Sequence, residues 1–260
     1  MNTEERVIRE KKSHEENDVL KQSLKLKNKF KHITLYPGIQ RMMKKFEDFY
    51  KNSSRKVVLD YGCGKGIDSL KLLQSGAIVY GIDIAKNYIE ESIELAKKNN
   101  FSEDLFEFKV MDAHFLEFEE NKFDLVIGNG ILHHLDKKLA INSIYKVLKP
   151  GGRLVFKEPL ADNPLLKIFR LLTPKARTVD EEPFSKKDLE NIIDTKLWET
   201  KDMFFCGILS APMAMITSVL LPNYPNNIFL KISNFFEIKL NKFNFFKSWN
   251  QYCLINLIKK

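Results

Sequence analysis

A ten-residue stretch at positions 57–66 most constrains what this chain can fold into. It reads VVLDYGCGKG, an apolar run that ends in an acid and is followed by three glycines at alternate positions. The apolar run predicts a buried parallel strand, and the glycines let the backbone adopt positive φ angles and approach a ligand closely. Residues 67–74 predict a helix after the turn. A strand, a tight turn and a helix in this order indicate a site for a nucleoside-bearing cofactor.

The spacing of these glycines differs from the dinucleotide fingerprint G-x-G-x-x-G, in which a pyrophosphate lies on the helix N-terminus. The third glycine, Gly66, comes one position too early for that motif. Asp60 stands just before the turn, where its carboxylate would repel a pyrophosphate but could hold a cationic amino acid moiety. The turn therefore favours a cofactor that carries a positive charge.

Four more apolar runs predict further strands of a parallel sheet, with helices at 86–99 and 137–148 between them. The first run, at 77–83, ends in Asp83, which lies 23 positions after Asp60. An acid at that spacing suits the two hydroxyl groups of a ribose, and the carboxyl ends of all these strands should meet at one edge of the sheet. The other three runs are 105–111, 123–128 and 153–158.

With these residues in order, the chain resembles the class I S-adenosylmethionine-dependent methyltransferases. The first motif of that family, D-x-G-x-G-x-G, matches Asp60, Gly62, Gly64 and Gly66, and the Leu-Lys-Pro-Gly-Gly stretch at 148–152 is frequent in its members. The resemblance implies an α/β fold with a Rossmann-like, seven-stranded, mostly parallel sheet whose last strand is antiparallel. It also implies S-adenosyl-L-methionine as the cofactor.

The resemblance further implies which residues bind the cofactor. In the family, an acid after the third strand accepts a hydrogen bond from the adenine amino group, which implies that role for Asp112; a turn-forming acid is the alternative. Asp83 could also cap the helix that follows it, and both roles are compatible. The complete predicted set is Asp60, Gly62, Gly64, Gly66, Asp83, Ile84, Asp112, Ala113 and Asn129.

Two adjacent histidines, His133 and His134, follow the fourth predicted strand, next to where a methyl acceptor must approach the cofactor. A histidine there could take a proton from an alcohol or a phenol at neutral pH. We therefore predict both as candidate catalytic residues, with His133 preferred. The alternative is that one of them packs structurally or pairs with Asp136 at the start of the next helix.

Two further residues are predicted to line the substrate pocket. Tyr36 precedes a helix break at residues 37–38, and in the family an N-terminal helix of this kind often closes the acceptor pocket. Glu158 ends the fifth predicted strand and faces the cleft by topology. Its charge could orient an amine or a hydroxyl group, or it could serve only a loop.

The predicted domain organisation is a helical N-terminal extension or cap at 1–55 and a methyltransferase domain at 56–260. The domain contains an apolar helical insertion at 206–248, and no charged residue occurs from Met203 to Leu230. Three interpretations of the insertion stay open: a membrane span, a peripheral membrane or homodimer contact through 206–240, and a helical lid over an apolar acceptor pocket. We favour the lid, which predicts an apolar or aromatic acceptor.

Cysteine usage and charge predict the compartment and the partners. The three cysteines lack C-x-x-C spacing, so neither a disulfide framework nor a metal site is predicted. The N-terminus lacks an apolar secretory core, which predicts a cytoplasmic location, with attachment to the inner face of a membrane left open. The net charge of +8 lies on residues 1–56 and 231–260. We attribute it to solvated helix faces, so nucleic acid is not a predicted partner.

The predicted function is methyl transfer to a small, apolar or aromatic acceptor, at oxygen or nitrogen. One alternative is an RNA or protein methyltransferase that uses the basic flanks. Residues 129–132 read NGIL, which differs from the Asn/Asp-Pro-Pro-Tyr run usual for methylation of exocyclic amino groups. The other alternative is a non-catalytic cofactor-binding protein, because the motifs predict binding and not turnover.

Overall fold

The structure is a computed structural model that describes most of the chain. The described residues are 28–172, 181–193, 196–200 and 202–260, with the single positions Glu5, Ile8, Arg9, Lys12 and Lys25. The first half of the predicted extension at 1–55 therefore lies largely outside the described residues, as does most of the polar loop that follows residue 172.

A mixed β-sheet forms the centre of the molecule. Its apolar strands coincide with the predicted runs to within a few residues, except that the fifth strand begins earlier, at Leu148. The strands are β1 (Val57–Tyr61), β2 (Ile78–Asp83), β3 (Phe106–Val110), β4 (Phe123–Asn129), β5 (Leu148–Pro159), β6 (Trp198–Thr200), β7 (Phe204–Cys206) and β8 (Tyr252–Lys259).

Helices cover both faces of the sheet. Two apolar cores result. One lies between the sheet and the helices of residues 37–98 and includes residues of the insertion; the other lies beneath the helices of residues 137–147 and 186–192. The helices are α1 (Pro37–Lys51), α2 (Ile67–Gln74), α3 (Lys86–Lys98), α4 (Lys137–Val147), α5 (Pro164–Leu172), α6 (Lys186–Ile192), α7 (Ser210–Leu220), α8 (Ile228–Leu240) and α9 (Asn244–Lys247), with 3-10 turns at Lys31–Thr34, Glu103–Leu105 and Leu132–His134.

The strand order is β3-β2-β1-β4-β5-β8-β6, with β7 also paired to β8. Strands β1 to β5 pair in parallel, whereas β8 is antiparallel to β5, β6 and β7. The predicted Rossmann-like sheet with an antiparallel last strand is confirmed. Strand β1 lies in the middle of the sheet and is buried on both faces, which explains its unbroken apolar run.

The sixth predicted strand, at 197–205, is in fact two short segments, β6 and β7. Asp202 lies between them with a φ of +34°, a conformation that breaks the extended backbone of a strand. Both segments pair with β8, β6 with its carboxyl end and β7 with its start. They therefore occupy one position at the sheet edge, as a single interrupted strand would.

The predicted helical insertion is present and consists mainly of α7 and α8. It leaves the sheet at Cys206 and returns at Tyr252, which pairs with both Cys206 and Pro159. Since Pro159 is the last residue of β5, the insertion extends from the edge where the parallel strands end. Among the described residues, no helix combines the length and the apolarity that a membrane span requires.

The residues before α1 pack against the insertion through His32, which is fully buried. Its backbone N–H donates to Ser218 Oγ at 3.0 Å, and its Nδ1 lies 2.9 Å from Thr217 Oγ1. Arg41 of α1 adds a hydrogen bond to Asn234 of α8 at 2.8 Å. The described part of the N-terminal extension and the insertion therefore form one layer.

Candidate functional site

The three glycines after β1 have the conformation that the sequence predicts. Gly62, Gly64 and Gly66 have φ angles of 76°, 52° and 77°, which favour glycine strongly. A Cβ atom would lie 2.7 Å from Ile131 at Gly62 and 2.9 Å from Ser92 at Gly66, whereas at Gly64 it would meet no atom within 4 Å. Two glycines are therefore required by packing, and the middle one borders open space that a ligand could fill.

Asp83, at the end of β2, is held against the glycine turn. Its Oδ2 accepts a hydrogen bond from the Gly64 N–H at 2.9 Å, and its Oδ1 accepts one from the Ala85 N–H at 2.9 Å. Each carboxylate oxygen can accept a second hydrogen bond, so a diol placed beside Gly64 would find acceptors already oriented. Ile84 follows Asp83 directly after β2 and is partly buried.

Asp60 lies beneath the turn and is only 3% exposed. Ser69 Oγ donates a hydrogen bond to its Oδ2 at 2.5 Å. Burial, reinforced by the nearby Asp68, raises the pKa of Asp60 to about 7. A buried carboxyl group in this state favours a cationic ligand, because a positive charge nearby stabilises its ionised form.

Asp68, at the start of α2, connects Asn129 to the glycine turn. Its Oδ2 accepts a hydrogen bond from Asn129 Nδ2 at 3.1 Å, and its Oδ1 accepts one from Lys71 at 3.0 Å. Sequence reasoning missed Asp68 and Ser69. The one available signal is their position in the first turn of the helix that follows the glycines.

Asp112 and Ala113, after β3, are fixed by neighbours on other elements. Burial opposes ionisation of Asp112, but hydrogen bonds from the His114 backbone and its Nδ1, at 2.9 and 2.7 Å, lower the pKa of the Asp112 carboxyl group. His114 Nε2 in turn accepts the Asp136 N–H at 2.9 Å, and the Tyr61 hydroxyl donates to the Ala113 carbonyl. His114 was also missed by sequence reasoning, which considered a pairing of Asp136 with His133 or His134 only as an alternative.

Glu158 and His133 form a buried pair. Glu158 is fully buried, and its Oε2 lies 2.8 Å from His133 Nδ1. Its Oε1 accepts the backbone N–H groups of Ile131 and Leu132 at 3.1 and 2.9 Å. The carboxylate therefore fixes both the loop after β4 and the orientation of the His133 ring. This contact pattern supports a positioning role for Glu158; its predicted place in the substrate pocket stays a prediction.

His134 lies beside His133, with ring centroids 4.1 Å apart. One donor atom each of His133, His134 and Glu181 lies within 4.8 Å of the others, a set that could hold a metal ion. The Glu182 N–H donates to the His133 carbonyl at 2.8 Å, which brings this segment to the histidines. Sequence reasoning predicted no metal site from the cysteine spacing and did not consider this set, whose Glu181 is far from the histidines in the chain.

Tyr36 is fully buried where the N-terminal extension meets the sheet edge. Its hydroxyl donates to Gln251 Oε1 at 3.1 Å and lies 3.6 Å from Cys206 Sγ. Burial raises the pKa of Tyr36 well above its usual value. Tyr36 therefore joins the extension to β7 and the loop before β8, and its role in the substrate pocket stays a prediction.

The predicted cofactor residues thus all lie where the central strands end. They extend from the glycine turn through Asp83 to Asp112, with Asn129 at the end of β4 and the histidine pair in the 3-10 turn that follows it. This is the edge at which ligands bind in open α/β sheets.

Comparisons with known proteins agree with this geometry. A family model described as a methyltransferase domain matches residues 52–203. The chain is 30% identical over 117 residues to phosphoethanolamine N-methyltransferase 2 of Caenorhabditis elegans. This alignment covers 44% of this chain and 26% of that protein. It is 34% identical over 102 residues to the ubiquinone biosynthesis O-methyltransferase of Coxiella burnetii, covering 39% and 42% of the two chains.

These matches thus span less than half the length of either relative. The fold extends further than the sequence similarity. Geranyl diphosphate C-methyltransferase from Streptomyces coelicolor A3(2), solved with Mg²⁺, geranyl diphosphate and S-adenosyl-L-homocysteine, aligns with a TM-score of 0.59 at 13% identity. The alignment covers 85% of this chain and 82% of that one.

Proposed function

Because the chain belongs to the family of methyltransferase domains, we propose that it transfers a methyl group from S-adenosyl-L-methionine to a small acceptor. The proposed target is an oxygen or nitrogen atom of an apolar or aromatic molecule. The observation that carries the proposal is the turn at Gly64, which has open space beside it. Asp83 is oriented on that turn, and the buried Asp60 lies beneath it.

The site residues match the parts of this cofactor. When bound, the cofactor supplies an electrophilic methyl group on a sulfonium ion. Asp83 and Ile84 would hold the ribose, and Asp112 and Ala113 the adenine. The cationic amino acid moiety would lie between the glycine turn and the Asp60, Asp68 and Asn129 side chains, which provide the negative charge and the amide that such a group requires.

His133 is the group that we propose to accept a proton from the acceptor. Glu158 accepts two backbone N–H groups through Oε1, and we assign its Oε2 as the acceptor of the hydrogen bond with His133, which places the ring proton on Nδ1. Nε2 is then the basic nitrogen of the ring. An acceptor hydroxyl group that attacks the methyl carbon must lose its proton, and a histidine held in one tautomer and one orientation suits that task.

The helical insertion supports an apolar acceptor. It extends from the carboxyl edge of the sheet, and its sequence from Met203 to Leu230 carries no charge. A charged acceptor would need a side chain of opposite charge, which this segment does not supply. The similarity to an O-methyltransferase and to an N-methyltransferase leaves both target atoms within the proposal.

The test supplies purified protein with isotopically labelled cofactor and the small molecules, RNA and proteins of a cell extract as separate fractions. We expect label in an apolar small-molecule fraction, identified by mass spectrometry. Label in RNA or protein instead would replace the proposal with the macromolecular alternative. Cofactor binding by calorimetry without transfer to any fraction would indicate a non-catalytic binding protein.

A further inference from the structure

The strongest feature outside the proposed active site is an exposed apolar surface on the insertion. Among the residues that the structure describes, twenty-two large apolar side chains are exposed, and twelve of them lie between residues 216 and 245. We call these twelve the apolar face. They include Val219 and Leu220 at the end of α7, Phe235 and Phe236 on α8, and Phe243 beyond it, all at least half exposed.

The pattern of burial along α8 shows that this exposure is systematic. Leu230, Ser233 and Glu237 are buried and form the side that packs on the protein. The opposite side is formed by Ile228, Ile232, Phe235 and Phe236, which recur at helical spacing and are each about half exposed. A surface helix normally carries polar residues on that side. An apolar outer side of this extent marks a surface that binds another apolar phase.

The exposed charges of residues 203–260, which contain the apolar face, are of one sign. Residues 203–260 contain six lysines and a single acid, Glu237, which is buried beneath α8. Lys231, Lys239 and Lys242 are exposed on or next to α8, and the Lys239 ammonium lies 4.2 Å from the centre of the Phe235 ring. The aromatic rings and the cations therefore share one surface.

From this combination we propose that the apolar face docks the protein onto an anionic membrane surface. Aromatic and aliphatic side chains would enter the headgroup region, as they do in interfacial helices, while the lysines contact anionic lipid headgroups. A second copy of the chain fits this surface less well. Self-association through the apolar face would bring lysines together with no exposed acid of residues 203–260 to pair them.

The docking is peripheral. The described helices are too short to cross a bilayer, and the buried side of α8 stays packed on the protein. The proposal does not depend on methyl transfer, so its test does not require turnover.

The test measures co-sedimentation of the full chain with vesicles of phosphatidylcholine, alone or with phosphatidylglycerol at about two to one. We expect at least about tenfold tighter binding to the mixed vesicles at low salt, and loss of this preference at high salt. The double variant Phe235→Ser/Phe236→Ser should bind the mixed vesicles at least about tenfold more weakly. Lys239→Gln and Lys242→Gln should each weaken binding to the mixed vesicles about fivefold.

Phe115→Ser is the matched control. Phe115 is 59% exposed, similar to Phe235 at 54%, but it follows β3 at the opposite end of the sheet, and its replacement should leave binding unchanged. Thermal melting confirms that each variant is folded. Equal binding to both kinds of vesicle, or no binding, would overturn the proposal. A third outcome would also overturn it: analytical ultracentrifugation shows a dimer that the double variant no longer forms, and vesicles bind neither the wild-type protein nor the variant.

Discussion

Asp60 is the residue whose ionisation state should respond most to a bound ligand. It is almost fully buried, and burial together with Asp68 raises its pKa to about 7. In the folded protein the group therefore holds its proton at a pH where an unfolded aspartate has lost it. Its contribution to folding stability falls as pH rises from about 4 to about 7, because the folded state binds more protons in that window.

The same shift predicts proton release on cofactor binding. A cation beside Asp60 favours the carboxylate, so affinity for S-adenosyl-L-methionine should fall as pH drops below about 7, by up to about tenfold per pH unit. Calorimetry in buffers of different ionisation enthalpy measures the protons released. In Asp60→Asn this pH dependence should vanish. An unchanged proton count in that variant would show that Asp60 does not face the cation.

His133 and His134 provide a matched pair for testing the proposed base. His133→Ala should slow the chemical step by about 10²–10⁴-fold, because no base then takes the proton of the substrate hydroxyl group. Cofactor affinity should be retained. His134→Ala, which leaves the contact between Glu158 and His133 intact, should slow it far less. Rapid-quench single-turnover measurements separate chemistry from product release. Equal rates in wild type and His133→Ala would assign His133 a structural role.

Among the elements, α7 depends on a side chain from α8 for its first turn. The buried Glu237 carboxylate accepts the backbone N–H groups of Gly207, Leu209 and Ser210 at 2.9, 3.3 and 3.0 Å. These are donors that a helix start and the residues before it leave without intrahelical partners. Glu237 thus holds the two insertion helices together and caps one of them.

Removing this carboxylate should destabilise the protein. Glu237→Ala leaves buried N–H groups without an acceptor, so we expect a loss of about 2–4 kcal/mol in the free energy of unfolding, measured by denaturant titration. Glu237→Gln keeps one acceptor oxygen and should lose less. Val219→Ser, at an exposed position of α7, is the control with little expected change. A Glu237→Ala variant as stable as that control would contradict the capping role.

The elements themselves were largely predictable, because strands β1 to β5 and the helices between them follow local periodicity and turn residues. The interruption at Asp202 was not, since residues 197–205 contain no glycine, proline or asparagine, and a single aspartate tolerates a positive φ without requiring one. The contacts of the site were predictable only where they follow chain order, as for Asp83 and the glycine turn. The contacts of His114 with Asp136, and of Glu237 with Ser210, join residues more than twenty positions apart and depend on packing between elements.

At the scale of the whole molecule, the N-terminal extension and the insertion are joined across the sequence. His32 contacts Thr217 and Ser218, and Arg41 contacts Asn234. Thr217 and Ser218 are themselves buried, so these hydrogen bonds satisfy groups that water does not reach.

This connection predicts that the two segments open together. In hydrogen exchange measured by mass spectrometry, amides of α1 and of α7 should show similar opening free energies. His32→Ala removes the side-chain partner of the Thr217 hydroxyl group and should lower both values by about 1–3 kcal/mol. Lys31→Ala, at the exposed neighbouring position, should leave them unchanged. Faster exchange in only one segment would show that they move independently.

The hydrogen bonds of His32 and Arg41 also bear on how a ligand could reach the carboxyl edge of the sheet beside the insertion. Two segments without contacts could separate from each other to admit a ligand. Because hydrogen bonds join the extension to the insertion, a ligand that enters on this side must displace both segments together or pass around their margin.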